Sequence, residues 1–180
     1  MVENKKDDPQ VSRLFQDLDA KVDTIFRYNM LMSIYASMPR DYGTGNFINE
    51  IEAHTISFIH RKPGITAKEI CKLTYRTKGT ISTMLSHLEK QGYILQKINP
   101  DNRRERNIFL TEQGENMYEK HSYYDRKTTM EYLLKAAEHC TPEEIDGYFK
   151  MTKFRSDYFE EVLARESASY KNAKENKKRG

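Results

Sequence analysis

Apolar residues recur three and four positions apart along most of this chain, and proline, glycine and capping residues mark the gaps between those runs. Asp8-Pro9 reads as an N-cap with proline at the first helical position. From there Val11, Leu14, Phe15, Leu18, Val22, Ile25, Phe26, Met32 and Tyr35 trace one face of a long amphipathic helix that stops before Pro39. Residues 39–46, Pro-Arg-Asp-Tyr-Gly-Thr-Gly-Asn, read as a loop. A helix over about residues 47–61 follows, with Ile48, Ile51, Ile56, Phe58 and Ile59 on its apolar side and Pro63-Gly64 closing it.

The rhythm then shortens. Thr66 and Glu69 stand in the Thr-x-x-Glu relation of a capping box, where each side chain satisfies a backbone N–H orphaned at a helix start. Ile65, Ile70 and Leu73 supply the apolar side of that short helix. Arg76 leads to Thr77, the N-cap of a second helix running to about Gln91, in which Ile81, Met84, Leu85 and Leu88 form one buried stripe. Helical geometry then fixes the opposite face as Gly79, Ser82, Thr83, Ser86 and Lys90, with Thr80 and His87 at its border, and Arg76, Thr77 and Lys78 at the helix start join them as DNA-binding candidates. Small polar side chains let a helix sink into a major groove and still bond to base edges and phosphates. Gly92 ends the helix.

Residues 93–98 read as a strand, Asn99-Pro100-Asp101-Asn102 as a turn, and residues 107–110 as the returning strand, so the tip carries Asp101, Asn102, Arg103, Arg104 and Arg106. By itself such a hairpin reads equally as a solvated surface element whose arginines keep an edge strand soluble. Directly after a Ser/Thr-faced helix it reads as a wing that lies along duplex DNA and reaches the minor groove. Helix, turn, helix and wing in that order make a winged helix-turn-helix, and the fold class is mainly α.

After the wing, Thr111 opens a helix to about His139, rich in Tyr118, Tyr123, Tyr124, Met130, Tyr132, Leu133 and Leu134. Thr141-Pro142-Glu143-Glu144 repeats the capping box with proline at the first helical position, and Ile145, Tyr148, Phe149, Thr152, Phe159, Val162 and Leu163 form the apolar face that follows. Residues 166–180 lack periodicity and read as a disordered basic tail. The parts are thus residues 1–45, a first helix and loop; 46–111, the winged region; 112–165, the closing helices; and 166–180, the tail.

Three runs carry a resemblance. Gly92-Tyr93-Ile94, Asp101-Asn102-Arg103-Arg104 and Leu110-Thr111-Glu112-Gln113-Gly114 resemble the wing and following helix start of the MarR family of bacterial transcription regulators, and the likeness extends over about residues 11–165. That family's wing carries Asp with Arg two residues on, then Leu-Thr and a glycine three residues later. Asp101 and Arg103 keep the first spacing, whereas Arg104 better keeps the distance to Leu110-Thr111, so either arginine fits the minor-groove role. The resemblance implies a homodimer joined by its first and last helices, a palindromic operator in double-stranded DNA, and a repressor released by a small-molecule or metal effector. Three long amphipathic helices around a small winged domain independently show more apolar face than one subunit covers. A winged domain used only for protein contacts is the alternative.

Charge sharpens this reading. Of 180 residues 32% are charged, yet the net charge is only +3, so basicity has to be local. It gathers at the wing, at Arg61-Lys62, at Lys68, Lys72, Arg76 and Lys78, and in the tail. No apolar run approaches a membrane span and Met1-Val2-Glu3-Asn4 does not open a signal peptide, so a cytoplasmic protein is expected. Cys71 and Cys140 are far apart without a Cys-x-x-Cys pattern, which fits a reducing compartment, and Cys71 reads as a small buried filler. A Gly-x-Ser-x-Gly elbow, a phosphate loop, a glycine-rich dinucleotide turn and a His-Glu-x-x-His pair are absent from the sequence, so no enzyme is expected.

One cluster points elsewhere. His121 and Asp125 stand four apart on the helix after the wing, and His54 lies on the helix that precedes the short capped one. Two imidazoles and a carboxylate suit zinc or another divalent ion. The positions resemble ligands of the zinc-responsive branch of the MarR family, with Asp125 standing where that branch has histidine and Glu50 or Glu52 as the fourth ligand. Read structurally, His54 packs at the junction and His121 with Asp125 is an exposed helix pair. Tyr28, Tyr35, Tyr42 and Tyr118 read either as core or as the lining of a pocket for an aromatic or acyl ligand.

Overall fold

The computed structural model describes residues 8–179. They divide into two units, one ending at Tyr124 and one beginning at Asp125. Among the described residues no helix is long and apolar enough to cross a membrane.

The first unit starts with α1 (Pro9–Ser12) and a single 3-10 turn (Arg13–Phe15), and only then does α2 (Leu18–Ser37) begin. The single long helix expected from residue 8 is therefore broken. Asp17 takes left-handed backbone, φ 54°, and Lys21 Nζ bonds the Leu14 and Gln16 carbonyls at 2.9 and 2.7 Å, satisfying groups that a continuous helix would have paired internally. No residue of α2 is buried: Val22, Phe26 and Ile34 are all about 60% exposed.

Residues 39–46 do more than connect. Arg40–Asp41 (β1) pairs antiparallel with Phe47–Ile48 (β2), and Asp41 Oδ1 accepts from the backbone N–H of Gly43, Thr44 and Gly45. Those bonds hold the Asp41 carboxyl below its ordinary range. The next helix, α3 (Glu50–Arg61), starts three residues later than the apolar pattern expects. Asn49 and Glu52 form a reciprocal capping box there, and Phe47–Ile48 is drawn into the small hairpin instead.

The winged region follows the sequence closely. Ile65–Thr66 (β3) precedes α4 (Ala67–Thr74), Thr66 and Glu69 cap it reciprocally, and α5 (Lys78–Lys90) starts at Thr77, whose hydroxyl accepts from the Thr80 N–H. Strands β4 (Ile94–Ile98) and β5 (Arg106–Leu110) form the wing, and β3 pairs with β5 so that the sheet order is β3-β5-β4. The third strand was not legible as a strand, being two residues long. Arg106 belongs to β5, opposite Ile98, rather than to the tip. Leu73, expected on the apolar side of α4, is half exposed, while Cys71 packs partly buried against the core. That core joins Ile48, Ala53, Ile56 and Ile59 to Ile65, Ile70, Ile81, Leu85 and Leu88, with Tyr93, Ile94, Ile108 and Met117 closing it.

Two glycines allow the wing to meet the next helix. Gly92 has φ +80°, a backbone state that favours glycine. A Cβ on Gly114 would stand 2.1 Å from the Tyr93 carbonyl oxygen. That carbonyl accepts from the Thr111 N–H, and the Thr111 hydroxyl bridges the Gly92 carbonyl and the Gly114 N–H. Helix α6 (Glu112–Ala136) runs on from this joint and α7 (Pro142–Arg179) starts at the Thr141/Glu144 box. Helical backbone continues to Arg179, through the run from residue 166 expected as a tail. Residues 166–179 contain no glycine or proline, and their Ala, Glu, Lys and Arg favour helix.

Candidate nucleic-acid interface

Helix α5 presents two different surfaces. Ile81, Leu85 and Leu88 are buried and Met84 half-buried, while Lys78, Gly79, Thr80, Ser82, Thr83, Ser86, His87 and Lys90 are exposed. The tallest uncharged groups are thus turned inward. On the outer side Thr83 and Ser86 donate their hydroxyls to the Gly79 and Ser82 carbonyls at 3.1 and 2.9 Å. Hydroxyls folded back in this way keep the helix surface low and leave their oxygens outward as acceptors.

The start of α5 is electrostatically unlike those of the other helices longer than one turn. Helices α3, α4, α6 and α7 each carry Glu in the first turn, which offsets the positive end of the helix dipole, but α5 carries no acid there. Arg76 and Lys78 flank Thr77 at that end instead. Backbone N–H groups with adjacent cations make a surface suited to phosphate. Tyr75, at φ 54°, makes the left-handed turn that separates α4 from α5 and sets Arg76 and Thr77 at the mouth of the helix.

The wing tip is folded by asparagines. Asn99 Oδ1 accepts from the Asp101 N–H and Asn102 Oδ1 from the Arg104 N–H, while Glu105 bonds back to Asn99 and Asn102 through the backbone. Asp101, Arg103 and Arg104 are exposed on that tip, and Arg106 is exposed on the first residue of β5. Arginine stays charged at any physiological pH and fits a narrow, negative groove.

His87 does not stand free on the outer face. Its Nδ1 lies 2.6 Å from Glu52 Oε1 on α3, and its Nε2 lies 2.9 Å from the Gln91 amide nitrogen. The sequence pattern placed His87 at the edge of the DNA face and Glu52 among the metal ligands, and nothing in the spacing of residues 35 apart announced the pair. It also settles which acid lies near His54: Glu50 Oε1 is 3.7 Å from His54 Nε2, whereas Glu52 belongs to His87.

The second cluster gathers around Arg40. Its guanidinium lies over the Tyr35 ring, 3.6 Å from the centroid, bonds the Tyr35 carbonyl and the Tyr42 hydroxyl, and sits 3.6 Å from Glu50. Tyr42 packs edge-on to His121 and Tyr124, at 4.8 and 5.0 Å between centroids, and His54 packs edge-on to His121 at 4.9 Å. His121 is 1% exposed, which removes the expected exposed helix pair. Burial first, then the neighbouring His54 and Arg40, push its imidazole down to about 4. Asp125, the third member of the group, stands one turn beyond His121 on the unbroken helix α6. Tyr118 stacks on His60 at 3.7 Å, and His60 Nδ1 is 2.7 Å from Glu115. Tyr35, Tyr42 and Tyr118 are thus engaged with named side chains.

A helix-turn-helix braced by a three-stranded sheet, with a basic hairpin beside a hydroxyl-faced helix, defines a winged helix-turn-helix protein. Residues 48–105 match the model of the MarR family of winged-helix transcription regulators. Among solved structures the chain is similar to FabT of Streptococcus pneumoniae in complex with DNA, at 25% identity and a TM-score of 0.60, over 82% of this chain and 99% of that one. It is similar also to MarR, 28% identical with a TM-score of 0.52 over 66% and 76% of the two chains. MepR of S. aureus in complex with DNA is 26% identical, with a TM-score of 0.50 over 61% and 80%. No curated protein sequence matches the chain.

Proposed function

We propose that this regulator is a homodimeric repressor that occupies a palindromic operator and is released by an effector. The observation that carries the reading is α5 itself, an acid-free helix start flanked by Arg76 and Lys78 and an exposed Ser/Thr face, with the Arg103/Arg104 tip of the wing in the same winged domain. Two similar proteins, FabT and MepR, were solved with DNA bound, which supports a duplex partner. The exposed apolar side chains of α2 support a second copy as the surface that covers them. Two reading helices have to match successive major grooves, so their separation in the dimer governs affinity, and an effector acts by favouring another separation. Fluorescence anisotropy with duplexes from the coding region's own upstream DNA, over a salt series, tests this. Affinity that falls steeply with salt is expected, and negligible salt dependence would leave a protein-interaction module.

A second reading makes the effector a divalent ion. His54, His121 and Asp125 are the favouring observation, and His121 is held neutral, the form that ligates. Zinc bound by His54 of α3 and by His121 and Asp125 of α6 would add a bond between two helices already joined by packing and by the His60–Glu115 contact, with the Glu50 carboxylate 3.7 Å from His54. Calorimetry of chelator-treated protein with zinc, parent against His121→Ala, tests it. Micromolar binding lost in the variant is expected, and no binding in the parent leaves an organic effector.

A further inference from the structure

Glu52 uses one carboxylate for two elements. Oε2 accepts from the Asn49 backbone N–H at 2.9 Å and so completes the cap of α3, while Oε1 holds His87 Nδ1 at 2.6 Å on α5. Gln91, the C-cap of α5, closes on the other ring nitrogen at 2.9 Å. A continuous path of hydrogen bonds, Asn49–Glu52–His87–Gln91, thus runs from the start of α3 to the end of α5. The Glu52 side chain is 10% exposed, so little water competes for it, whereas the His87 ring is 45% exposed on the border of the outer face.

The other contacts across this boundary are apolar packing and one weak hydrogen bond to sulfur. Ile81, Leu85 and Leu88 meet the core through apolar packing, and Met84 Sδ lies 3.7 Å from the Thr55 hydroxyl. Apolar packing sets the distance of a helix from its support but resists rotation about the helix axis weakly, because it is non-directional. A short charge-assisted bond to a buried carboxylate does resist that rotation. With Nδ1 donating to Glu52, Nε2 accepts from the Gln91 amide. Among the described residues the buried Gln91 Oε1 has no hydrogen-bond partner, so the amide nitrogen is the Gln91 group committed to the ring.

We propose that Glu52 is a positioning residue for DNA reading, acting through His87: it fixes the rotational setting of α5 and hence the set of side chains offered to base edges. This rests on α5 being the DNA-reading helix. Base-edge contacts carry sequence information and phosphate contacts do not, so loss of the bond lowers discrimination between sequences more than it lowers total affinity.

The test compares binding to a duplex selected from a random pool by the parent protein with binding to a scrambled duplex, for parent, Glu52→Ala, His87→Ala and the double variant, with urea unfolding of each. The selected-to-scrambled ratio is expected to fall about tenfold in either single variant and no further in the double, the signature of residues acting as one unit. Glu52→Gln, which keeps an acceptor for His87, is expected to recover most of the ratio. Asn49→Ala removes the same helix cap without touching His87, and is expected to lower stability while leaving the ratio in place. Independent, multiplying losses in the double variant overturn the proposal, as does an unchanged ratio or an Asn49→Ala variant that reproduces Glu52→Ala. A parent that selects no duplex removes the DNA-reading function itself, and this proposal with it.

Discussion

Arg103 and Arg104 occupy a tip whose turns are closed by the Asn99 and Asn102 side chains and by the backbone, so neither arginine is needed to fold the wing. Replacing both by alanine is expected to weaken operator binding by about 2–4 kcal/mol, the scale of two charge-assisted hydrogen bonds. Anisotropy at fixed salt reads the affinity, and unfolding by urea is expected to match the parent. Gly114 is the opposite case, a residue far from any DNA face whose replacement damages the support. Alanine there gains up to about 1 kcal/mol of helix propensity. It also places a methyl 2.1 Å from the Tyr93 carbonyl oxygen, and backbone has to move. The clash wins, and Gly114→Ala is expected to lose about 2–3 kcal/mol of stability in urea unfolding.

At the scale of elements, each helix of the winged unit is started by its own chemistry, which makes the starts separately testable. The Glu69 carboxyl is held at about 2 by the Lys62 ammonium first and then by the Thr66 N–H and hydroxyl. A carboxyl with a depressed folded value contributes stability that is fully present above its unfolded value, near 4.5, and is lost as pH falls toward 2. Glu69→Gln is therefore expected to flatten the acid limb of a pH–stability curve between about pH 4.5 and 2 by the same amount that it costs at neutral pH, an amount kept small because Glu69 is more than a third exposed. A curve unchanged by the substitution would assign the acid limb to other groups. Thr66→Ala removes the reciprocal half of the box, at about 1 kcal/mol.

At the scale of the whole molecule, the exposed apolar face of α2 is the surface that the proposed second copy would cover. Phe26 and Ile34 are 63% and 60% exposed in a helix with no buried residue at all. A charge at Phe26 costs nothing in a monomer and a great deal where that face is covered. If the proposed dimer forms through this face, Phe26→Glu is expected to dissociate it in sedimentation and to make operator occupancy depend steeply on protein concentration, since the second half-site contact is lost. An unchanged mass would place the dimer contact elsewhere.

The chain's sequence carried the winged unit almost to the residue, because its signals are local. Thr66 with Glu69, Thr77, Gly92 and the Asn99–Asn102 turn each act within four residues, and the apolar stripe of α5 fixes its outer face by helical geometry alone. The same locality explains what it left out. Strand β3 is two residues that become a strand only by pairing with β5, and the break at Asp17 depends on Lys21 reaching back to carbonyls that the apolar pattern cannot see. His54 and His121 were chosen from sequence as partners, but the depth that makes His121 a neutral, buried ring comes from Tyr42, Arg40 and the core around it. His87 could be placed on a face, not in the grip of Glu52, because a bond between residues 35 apart exists only after α3 and α5 have packed. Periodicity and capping decide which elements form; long-range contacts decide which way their polar side chains are held.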